Sequence, residues 1–447
     1  MAMAAHSPPA ERDDDIFTRS NCHPETRGEC LDFARLAFPE EHVAEADTQG
    51  HCSYTVAVST THLLQFRPER FKLDMGIYDD ARRMFGHVVA ETTYLGPLGG
   101  IPLRGEGYDR PLLHMYLVER LPGVPLVSLL GEQDGGGGGG ADAASSSASA
   151  ASASAAASAT EFRAALVQDL ARIFAIAYHH RRPRRDLAGA RGRIGSSLQR
   201  RADLVAKIKD REVCREAQSV RHYLDHIEHL PWCLTHGDLI PSNMLVDPAT
   251  GRITGLLDWA EGEWLPLGVG MYAVDEILGA DDAARGFVFS PHHQQLRMLF
   301  WKTFLGLCEA SAPASAPAPA PAPAPLDVGS RCVLREVEMA RRMGLLLWRG
   351  IAFDDGRLDR PVERGRDDAE LKKLKVLLGA PGATDCLVWV EGFECEEEQD
   401  NAWYWGRWMG GCFGVLVDFS EAKVLAESEH PSLRWAGGTL YLGVEGW

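Results

Sequence analysis

The feature that most constrains the fold is a short hairpin pattern with polar residues at its open end. The apolar runs NMLV and RITGLL flank the turn-like DPATG, so residues 244–257 predict two antiparallel strands joined by a tight loop. Asn243 precedes the first strand, and Asp258 follows the second. Both therefore lie at the same end, on strands about 5 Å apart. Two oxygen ligands at that spacing can share a Mg²⁺ ion.

A second acidic residue precedes this hairpin at an informative spacing. A His-Gly-Asp triplet, residues 236–238, is followed by four residues and then Asn243. This is the H-x-D-x-x-x-x-N pattern of phosphoryl-transfer loops, in which Asp orients the hydroxyl and Asn holds metal. Asp258 stands 258 − 238 = 20 residues beyond Asp238, where a second metal-holding Asp belongs. The spacing predicts one site built from these three residues.

Other interpretations of the polar residues remain open. A lone H-x-D or Asp-Trp pair occurs by chance, and Asp238 taken alone could cap a helix or lie in a loop. Hydrolysis by a Ser-His-Asp triad has no supporting G-x-S-x-G turn in this sequence. Glu261 and Glu263 could contact a cationic substrate, or they could form a solvated acidic face.

Composition limits the kinds of partner. The 447 residues are 45% hydrophobic with a net charge of −17, which allows a sizeable core but disfavours nucleic acid and anionic membranes. No protein partner is indicated. The ten cysteines form no C-x-x-C pair and are expected to be reduced thiols. The N-terminal residues lack the apolar region of a signal peptide, so we expect a soluble cytoplasmic protein.

Two low-complexity segments divide the chain. Residues 135–159, rich in Gly, Ala and Ser, predict a disordered loop with at most transient helix, and residues 311–325 predict an extended Ala-Pro spacer. The resulting divisions are an N-terminal extension (1–40), an N-terminal lobe (41–134), the first insertion (135–159), a helical C-terminal lobe (160–378) and a tail of uncertain structure (379–447).

The two lobes differ in their hydrophobic patterns. In the N-terminal lobe, strands are predicted over residues 52–58, 62–67 and 112–121, with a helix over 78–86 that ends at Gly86. In the C-terminal lobe, apolar residues at steps of three and four predict an amphipathic helix over 161–180. Further helices are predicted at 204–230 (with breaks), 294–309, 331–348 and 367–378, with the hairpin as the only strands among them. The expected fold class is α+β, with a small antiparallel sheet and a larger helical lobe.

At HGDLIPSN and GLLDWAEGEWLPLG the sequence resembles the aminoglycoside phosphotransferase and choline kinase branch of the protein-kinase-like fold, in particular its fungal members. That branch has H-G-D where protein kinases have H-R-D. The resemblance covers about residues 41–378. It implies a bilobal fold, ATP and Mg²⁺ as cofactors, and a small-molecule acceptor. It also implies Asp238 as catalytic base, His236 in support, and Asn243 and Asp258 as metal ligands.

Two N-terminal segments carry weaker parts of the resemblance. YLVERLPGVPL is similar to the family's hinge, in which backbone groups between Val118 and Arg120 would bond the adenine edge. QGHCSYTV is similar to the family's phosphate-covering turn, with Gly50 and Ser53 as candidate contacts.

The strand HLLQFRP departs from the family pattern. The family presents a Lys or Arg to the α and β phosphates, paired with a Glu on the following helix. Gln65 and Arg67 share a face here, and Arg67 is the better candidate because a guanidinium can bond phosphate oxygens at two points. The acids available on the helix are Asp79 and Asp80, which are shorter than Glu.

Two functions from different classes follow. The first is an ATP- and Mg-dependent kinase that phosphorylates a hydroxyl of a small molecule. The alternative is a catalytically weak kinase-like module that binds a nucleotide or metabolite, favoured by the irregular phosphate strand. A protein kinase is disfavoured by the H-G-D form and by the lack of a downstream A-P-E segment. The acceptor itself cannot be derived from motif spacing.

Overall fold

The computed structural model describes most of the chain up to residue 382. The described ranges are 16–47, 49–98, 112–134, 147–183, 187, 192–309, 330–354, 358–382, and four strands beyond residue 403. The chain divides into two units, residues 1–384 and 385–447. Within the described part, no helix combines the length and apolar character needed to cross a bilayer. The seven described cysteines, from Cys22 to Cys332, are free thiols.

The N-terminal lobe is built on one five-stranded antiparallel sheet with the spatial order β1-β2-β3-β5-β4. Its strands are β1 (Ala44–Glu45), β2 (Tyr54–Ala57), β3 (His62–Pro68), β4 (Thr92–Leu98) and β5 (Leu113–Glu119). The three predicted strands are confirmed as β2, β3 and β5. The sequence analysis missed β4, whose Gly96 and Pro97 interrupt the alternating pattern and whose pairing shifts register after Tyr94. An edge position tolerates both residues.

Two helices precede the sheet, α1 (Ile16–Arg19) and α2 (Thr26–Ala37). Cys30 and Ala34 of α2 are completely buried, and they share a core with Val56 and Leu64 of the sheet. Part of the segment that the sequence assigns to an extension therefore contributes to the core of the N-terminal lobe.

Helix α3 (Met75–Phe85) follows β3 and begins three residues before the predicted start. The Asp74 carboxylate accepts from the backbone N–H groups of Gly76 at 2.9 Å and Ile77 at 3.4 Å, which satisfies two amides of the first turn. The helix ends at Gly86, which has a φ of +65°, as predicted from the sequence.

The C-terminal lobe is mainly helical, which confirms the predicted α+β class. Its helices are α4 (Leu126–Asp134), α5 (Ser147–His179), α6 (Leu198–Val205), α7 (Arg211–His222), α8 (Leu224–His229), α9 (Tyr272–Ile277), α10 (His293–Glu309), α11 (Arg331–Arg349) and α12 (Asp368–Leu378). Helix α5 begins at Ser147, inside the segment predicted as a loop. Residues 135–146 of that segment, and the Ala-Pro segment 311–325, lie outside the described residues.

Short strands also run through the C-terminal lobe. They are β6 (Val124–Pro125), β7 (Trp232–Thr235), β8 (Met244–Val246), β9 (Ile253–Leu256), β10 (Glu263–Pro266), β11 (Gly279–Asp282) and β12 (Gly286–Phe289). The prediction that one hairpin supplies the only strands in this lobe is therefore wrong. Strands β7 and β10 pair with each other and are buried on both faces, so neither shows the alternation that would reveal a strand.

The second unit contains two antiparallel hairpins in its described residues. Strand β13 (Tyr404–Trp408) pairs with β14 (Gly411–Val415), and β15 (Leu433–Ala436) pairs with β16 (Thr439–Leu442).

Candidate active site

The predicted hairpin is present as β8 and β9, and its open end is closed by a backbone hydrogen bond. Met244 lies opposite Leu256 in the register, and the strands are largely buried. Beyond this pair, the Leu257 N–H donates to the Asn243 carbonyl at 2.8 Å. Asn243 and Asp258, the residue after Leu257, therefore lie at the same end, as the sequence predicts.

Helix α5 contacts the hairpin through Asp169. Asp169 on this helix accepts from the backbone N–H of Ile253 at 3.1 Å and pairs with Arg252 at 3.0 Å. Its carboxylate is almost completely buried, so the hydrogen bond forms in a low-dielectric environment. This contact fixes β9 on the helical lobe and thereby fixes the position of Asp258.

His236 connects the predicted catalytic loop to the hairpin. Its Nε2 donates to the Leu257 carbonyl at 2.7 Å, while its Nδ1 accepts from the Asp238 N–H at 3.3 Å. These two bonds require the neutral imidazole with its proton on Nε2. Burial lowers the pKa of His236 to about 4, because the charged ring would lose its hydration. His236 is thus a neutral strut, which fits the supporting role predicted for it.

Gly237 lets the catalytic loop pass close to the segment after Asp258. Its φ is +83°, and a Cβ at this position would lie 2.0 Å from the Glu261 carbonyl oxygen. No other residue fits without moving the backbone. The glycine in the H-G-D motif therefore has a steric cause in this chain.

Asp238 is held from two sides. The Asn243 side-chain amide donates to the Asp238 carboxylate at 3.0 Å and to its backbone carbonyl at 2.8 Å. On the other side, the N–H of Leu239 donates to the phenol oxygen of Tyr272 in α9 at 2.9 Å. The sequence analysis missed Tyr272, because its contribution depends on a tertiary contact with no local motif.

Arg67 of β3 pairs directly with Asp258. The Arg67 Nη2 donates to the Asp258 Oδ1 at 3.1 Å, and the Arg67 Nε donates to the Gln65 side-chain oxygen at 3.2 Å. Only 3% of the Arg67 side chain is exposed, against 34% for Asp258. The remaining nitrogen, Nη1, is buried without a hydrogen-bond partner among the described residues. Such a nitrogen is matched to an anionic oxygen of a ligand.

Asp258 has both a lowered pKa and an unusual backbone conformation. Burial is the largest single effect and opposes its charged form, but the charge and hydrogen bond of the Arg67 guanidinium, added to smaller neighbouring effects, hold the pKa of Asp258 below its ordinary value. Burial likewise opposes the charge on Arg67, yet Asp258 raises the Arg67 pKa. Asp258 also has left-handed backbone angles, φ 60° and ψ 69°, which are unusual outside glycine and concentrate at functional sites.

The acid partner expected for Arg67 on α3 is not formed. Asp79 is exposed, and Asp80 pairs with Arg83 at 2.7 Å and Arg182 at 3.4 Å. Neither Asp contacts Arg67, because both point away from the buried face of α3. On that face, Tyr78 accepts from the backbone N–H of Trp259 at 3.1 Å. The sequence analysis missed Tyr78, although it shares helical spacing with the buried Ala81 and Phe85.

The turn that carries Gly50 and Ser53 is braced by a glutamine. The Gln49 side chain accepts from the Thr55 N–H at 2.8 Å and donates to the Thr55 carbonyl at 2.9 Å. The Ser53 hydroxyl is buried beside the Thr55 hydroxyl at 3.5 Å, and a Cβ on Gly50 would lie 3.2 Å from it. The turn brings both candidates together, with the Ser53 side chain directed inward.

The predicted hinge joins the two lobes, but one of its amides is already occupied. The Arg120 N–H donates to the Thr61 carbonyl at 2.8 Å, which leaves only the carbonyl of Arg120 for a base. The next amide, that of Leu121, has no partner among the described residues. Val118 lies within β5, paired with both neighbouring strands. An amide without a partner among the described residues therefore lies directly after the predicted segment, at Leu121.

A small apolar cluster lies beside this hinge and includes residues of both lobes. Ala90, Leu121 and Leu245 are buried in it, and the partly exposed Val118 and Leu257 pack against them. Apolar side chains next to a backbone N–H without a partner among the described residues suit a flat heteroaromatic ring with an acceptor edge.

Glu263 is a structural residue, and both open interpretations of it are wrong. Its buried carboxylate accepts from the backbone N–H groups of Ile194 at 2.9 Å and Gly195 at 2.7 Å. Burial raises the pKa of Glu263 to about 6, against the lowering effect of these two hydrogen bonds. The side chain therefore anchors the segment before α6. It faces neither a substrate nor solvent.

The Asn243 and Asp258 oxygens fit the Mg²⁺ ion that the resemblance implies. Asn243 uses its side-chain NH₂ group toward Asp238, and its side-chain oxygen Oδ1 makes no hydrogen bond to a described residue. Asp258 uses one oxygen toward Arg67 and is partly exposed. The described residues contain no cluster of three or more His, Cys, Asp or Glu suited to a metal. A pair of oxygen ligands suffices for Mg²⁺, which keeps waters and substrate phosphates in its shell.

Comparison with known proteins gives one family. The model of a family described as "Phosphotransferase enzyme family" (APH) matches residues 101–268, which include His236, Asp238, Asn243 and Asp258. These residues are similar to that family. The match confirms the resemblance to the aminoglycoside phosphotransferase and choline kinase branch. A search of curated proteins gives no match.

Solved structures similar to the chain include aminoglycoside phosphotransferases. The GDP complex of aminoglycoside 2'-phosphotransferase-IIIa is 13% identical, with a TM-score of 0.41 over 80% of this chain and 97% of that one. ADP-bound APH(2'')-Ib is 10% identical, with a TM-score of 0.39 over 78% and 96%. APH(3'')-Id from Streptomyces rimosus is 12% identical, with a TM-score of 0.39 over 72% and 98%.

Proposed function

We propose that the protein is an ATP- and Mg-dependent phosphotransferase that transfers the γ-phosphate to a hydroxyl of a small molecule. The observation that carries the proposal is the convergence on Leu257. Its N–H bonds Asn243, its carbonyl bonds His236 of the Asp238 loop, and the next residue is Asp258, which pairs with Arg67. The residues proposed as base, metal ligands and phosphate-binding cation are therefore linked through Leu257 and Asp258.

Each group has a role that its contacts support. Asp238, fixed by Asn243, would orient the acceptor hydroxyl and accept its proton. Asn243 and Asp258 would hold Mg²⁺, which when bound neutralises charge on the phosphate oxygens. The unpartnered Nη1 of Arg67 would bond a phosphate oxygen. Since this transfer needs little covalent chemistry from the protein, positioning and charge account for most of the expected acceleration.

The nucleotide base would pack against the apolar cluster beside the hinge. The Leu121 N–H would donate to a ring nitrogen of adenine, with Val118 and Leu257 on the two faces of the ring. Gly50 and Ser53 would lie in the turn over the phosphates.

Turnover of Mg-ATP by the purified full chain tests the proposal. The acceptor panel contains amino sugars, choline-like alcohols and neutral sugars, with labelled ATP as donor. Wild type is expected to phosphorylate at least one class, and Asp238→Asn to lose about 10²-fold or more of that rate. Asp247→Asn is the matched control, since Asp247 lies in the hairpin turn and accepts only local N–H groups. Absence of turnover in wild type, or turnover that survives Asp238→Asn, contradicts the proposal.

One observation favours a second candidate, a kinase-like module that binds nucleotide without efficient transfer. Arg67 is paired with the proposed metal ligand, and no carboxylate on α3 contacts it. Melting temperatures separate the two candidates. Stabilisation by Mg-ATP without turnover favours the binding module, whereas stabilisation with turnover favours the enzyme.

A further inference from the structure

Helix α3 contacts the proposed metal segment through its buried face. The Tyr78 phenol oxygen accepts from the Trp259 N–H at 3.1 Å, and Trp259 is the residue directly after Asp258. Two helical turns further along, the Phe85 ring stacks on the Trp259 indole, with centroids 5.4 Å apart. Ile77 approaches so closely that a Cβ on Gly262 would lie 2.7 Å from its methyl group. Three contacts, made by Ile77, Tyr78 and Phe85, therefore join α3 to Trp259 and Gly262.

The hydrogen bond to Tyr78 holds the backbone N–H of Trp259, directly after Asp258, which has a strained backbone conformation. Asp258 has left-handed angles, which disfavour a non-glycine residue and persist only where surrounding contacts hold them. The Trp259 amide is the first backbone group after that conformation. The indole of Trp259 also lies against the His236 ring at 4.7 Å, so movement of this residue would disturb the catalytic loop as well.

We propose that Tyr78 is a positioning residue that takes over the task left vacant by the missing acid on α3. It holds the left-handed turn at Asp258 through the Trp259 amide and so keeps the Asp258 carboxylate directed at Arg67 and the metal. Helix α3 therefore acts on the phosphate site through this backbone amide and makes no ion pair with Arg67. The metal-dependent part of this inference rests on the proposed function.

The chain offers a matched control for the phenol. Tyr116 of β5 is also buried, 1% exposed against 8% for Tyr78, and its oxygen also accepts one backbone N–H, that of Leu73 at 3.1 Å. That bond lies within the N-terminal lobe and touches no residue of the 258–262 segment. Tyr78→Phe and Tyr116→Phe each remove one phenol hydroxyl, and each leaves one buried backbone N–H without an acceptor. A general loss of stability is common to both variants.

Two measurements test the inference. The first is hydrogen–deuterium exchange at the Trp259 amide, which requires no nucleotide. The loss of a buried hydrogen bond is expected to accelerate this exchange about 5- to 100-fold in Tyr78→Phe and to leave it unchanged in Tyr116→Phe. The second is the Mg²⁺ concentration that half-saturates ATP-induced thermal stabilisation. It is expected to rise at least about fivefold in Tyr78→Phe only.

The outcomes separate this inference from the proposed function. Unchanged exchange at Trp259 in Tyr78→Phe overturns the inference, as does an equal rise in the Mg²⁺ requirement for both variants. If wild type shows no response to Mg-ATP, the proposed function fails. The exchange comparison then decides alone whether Tyr78 holds the turn.

Discussion

The guanidinium of Arg67 and the carboxylate of Asp258 form an ion pair at 3.1 Å between residues 191 positions apart in the sequence. Arg67 comes from the sheet of the N-terminal lobe, and Asp258 from the end of the hairpin in the C-terminal lobe. The pair therefore joins the two lobes at the proposed phosphate site. Because the Nη1 of Arg67 has no partner among the described residues, the pair leaves this NH₂ group of the cation for a ligand.

Removal of the charge on Asp258 should destabilise the protein without ligand. In Asp258→Asn the buried Arg67 would keep its charge without an anion. A fully buried broken pair costs about 3–5 kcal/mol, and partial exposure of Asp258 reduces the expected loss to about 1–3 kcal/mol. Urea denaturation measures the change, with Asp79→Asn on the exposed face of α3 as control. Equal stabilities of the two variants would show that the ion pair contributes nothing.

Gly237→Ala should lower the free energy of unfolding by much more than the strain of its positive φ alone. Positive φ costs an L-residue about 1–2 kcal/mol, and the clash with the Glu261 carbonyl adds about 1–3 kcal/mol or displaces the loop. Gly365 is the matched control. Its φ is +84°, against +83° for Gly237, and nothing lies within 4 Å of its Cβ position. Denaturation of Gly365→Ala should show the φ cost only. Similar losses in both variants would exclude the steric explanation.

The hairpin and its polar ends could be predicted because their signals are local. Turn residues, strand spacing and the H-G-D-x-x-x-x-N pattern all lie within residues 236–258, so Asp238, Asn243 and Asp258 follow from sequence distance. The strands β7 and β10 could not be predicted. Each has four residues buried on both faces, and such runs carry no period that separates strand from helix.

The partners of Arg67 illustrate a different limit. The resemblance directs attention to an acid on α3, whereas the fold directs Asp79 and Asp80 away and turns Tyr78 inward. Which face of a short helix is buried depends on a fraction of a turn, and this sequence alone does not fix it. Glu263 shows the same limit, since its acceptor role depends on a segment about 70 residues earlier in the chain.

Glu263→Ala should release the segment before α6 without altering acceptor preference. The truncation leaves the Ile194 and Gly195 amides buried without an acceptor, at a cost of about 1–3 kcal/mol for each. Trypsin cleavage after the exposed Arg193 should accelerate accordingly. If Glu263 bound a cationic substrate instead, the variant would lose amino-sugar turnover selectively while cleavage at Arg193 stayed unchanged.

Acid should weaken the contribution of His236 to stability in a defined direction. The native pKa of about 4 lies below the unfolded value of about 6.5, so the unfolded chain binds the proton first as pH falls. The contribution is complete above about pH 6.5 and is lost progressively toward pH 4, by about 2 kcal/mol between pH 7 and pH 5. Glu263 acts oppositely, because its raised pKa adds stability as pH falls through about 6.

Comparison of wild type with His236→Gln isolates the histidine, since Glu263 titrates in both proteins and its effect cancels. The stability advantage of wild type over the variant, measured by urea denaturation at several pH values, should be largest at pH 7 and narrow by about 2 kcal/mol at pH 5. An advantage that stays constant from pH 7 to pH 5 would mean that the native histidine protonates as readily as the unfolded one. The buried neutral imidazole between Leu257 and Asp238 would then be incorrect.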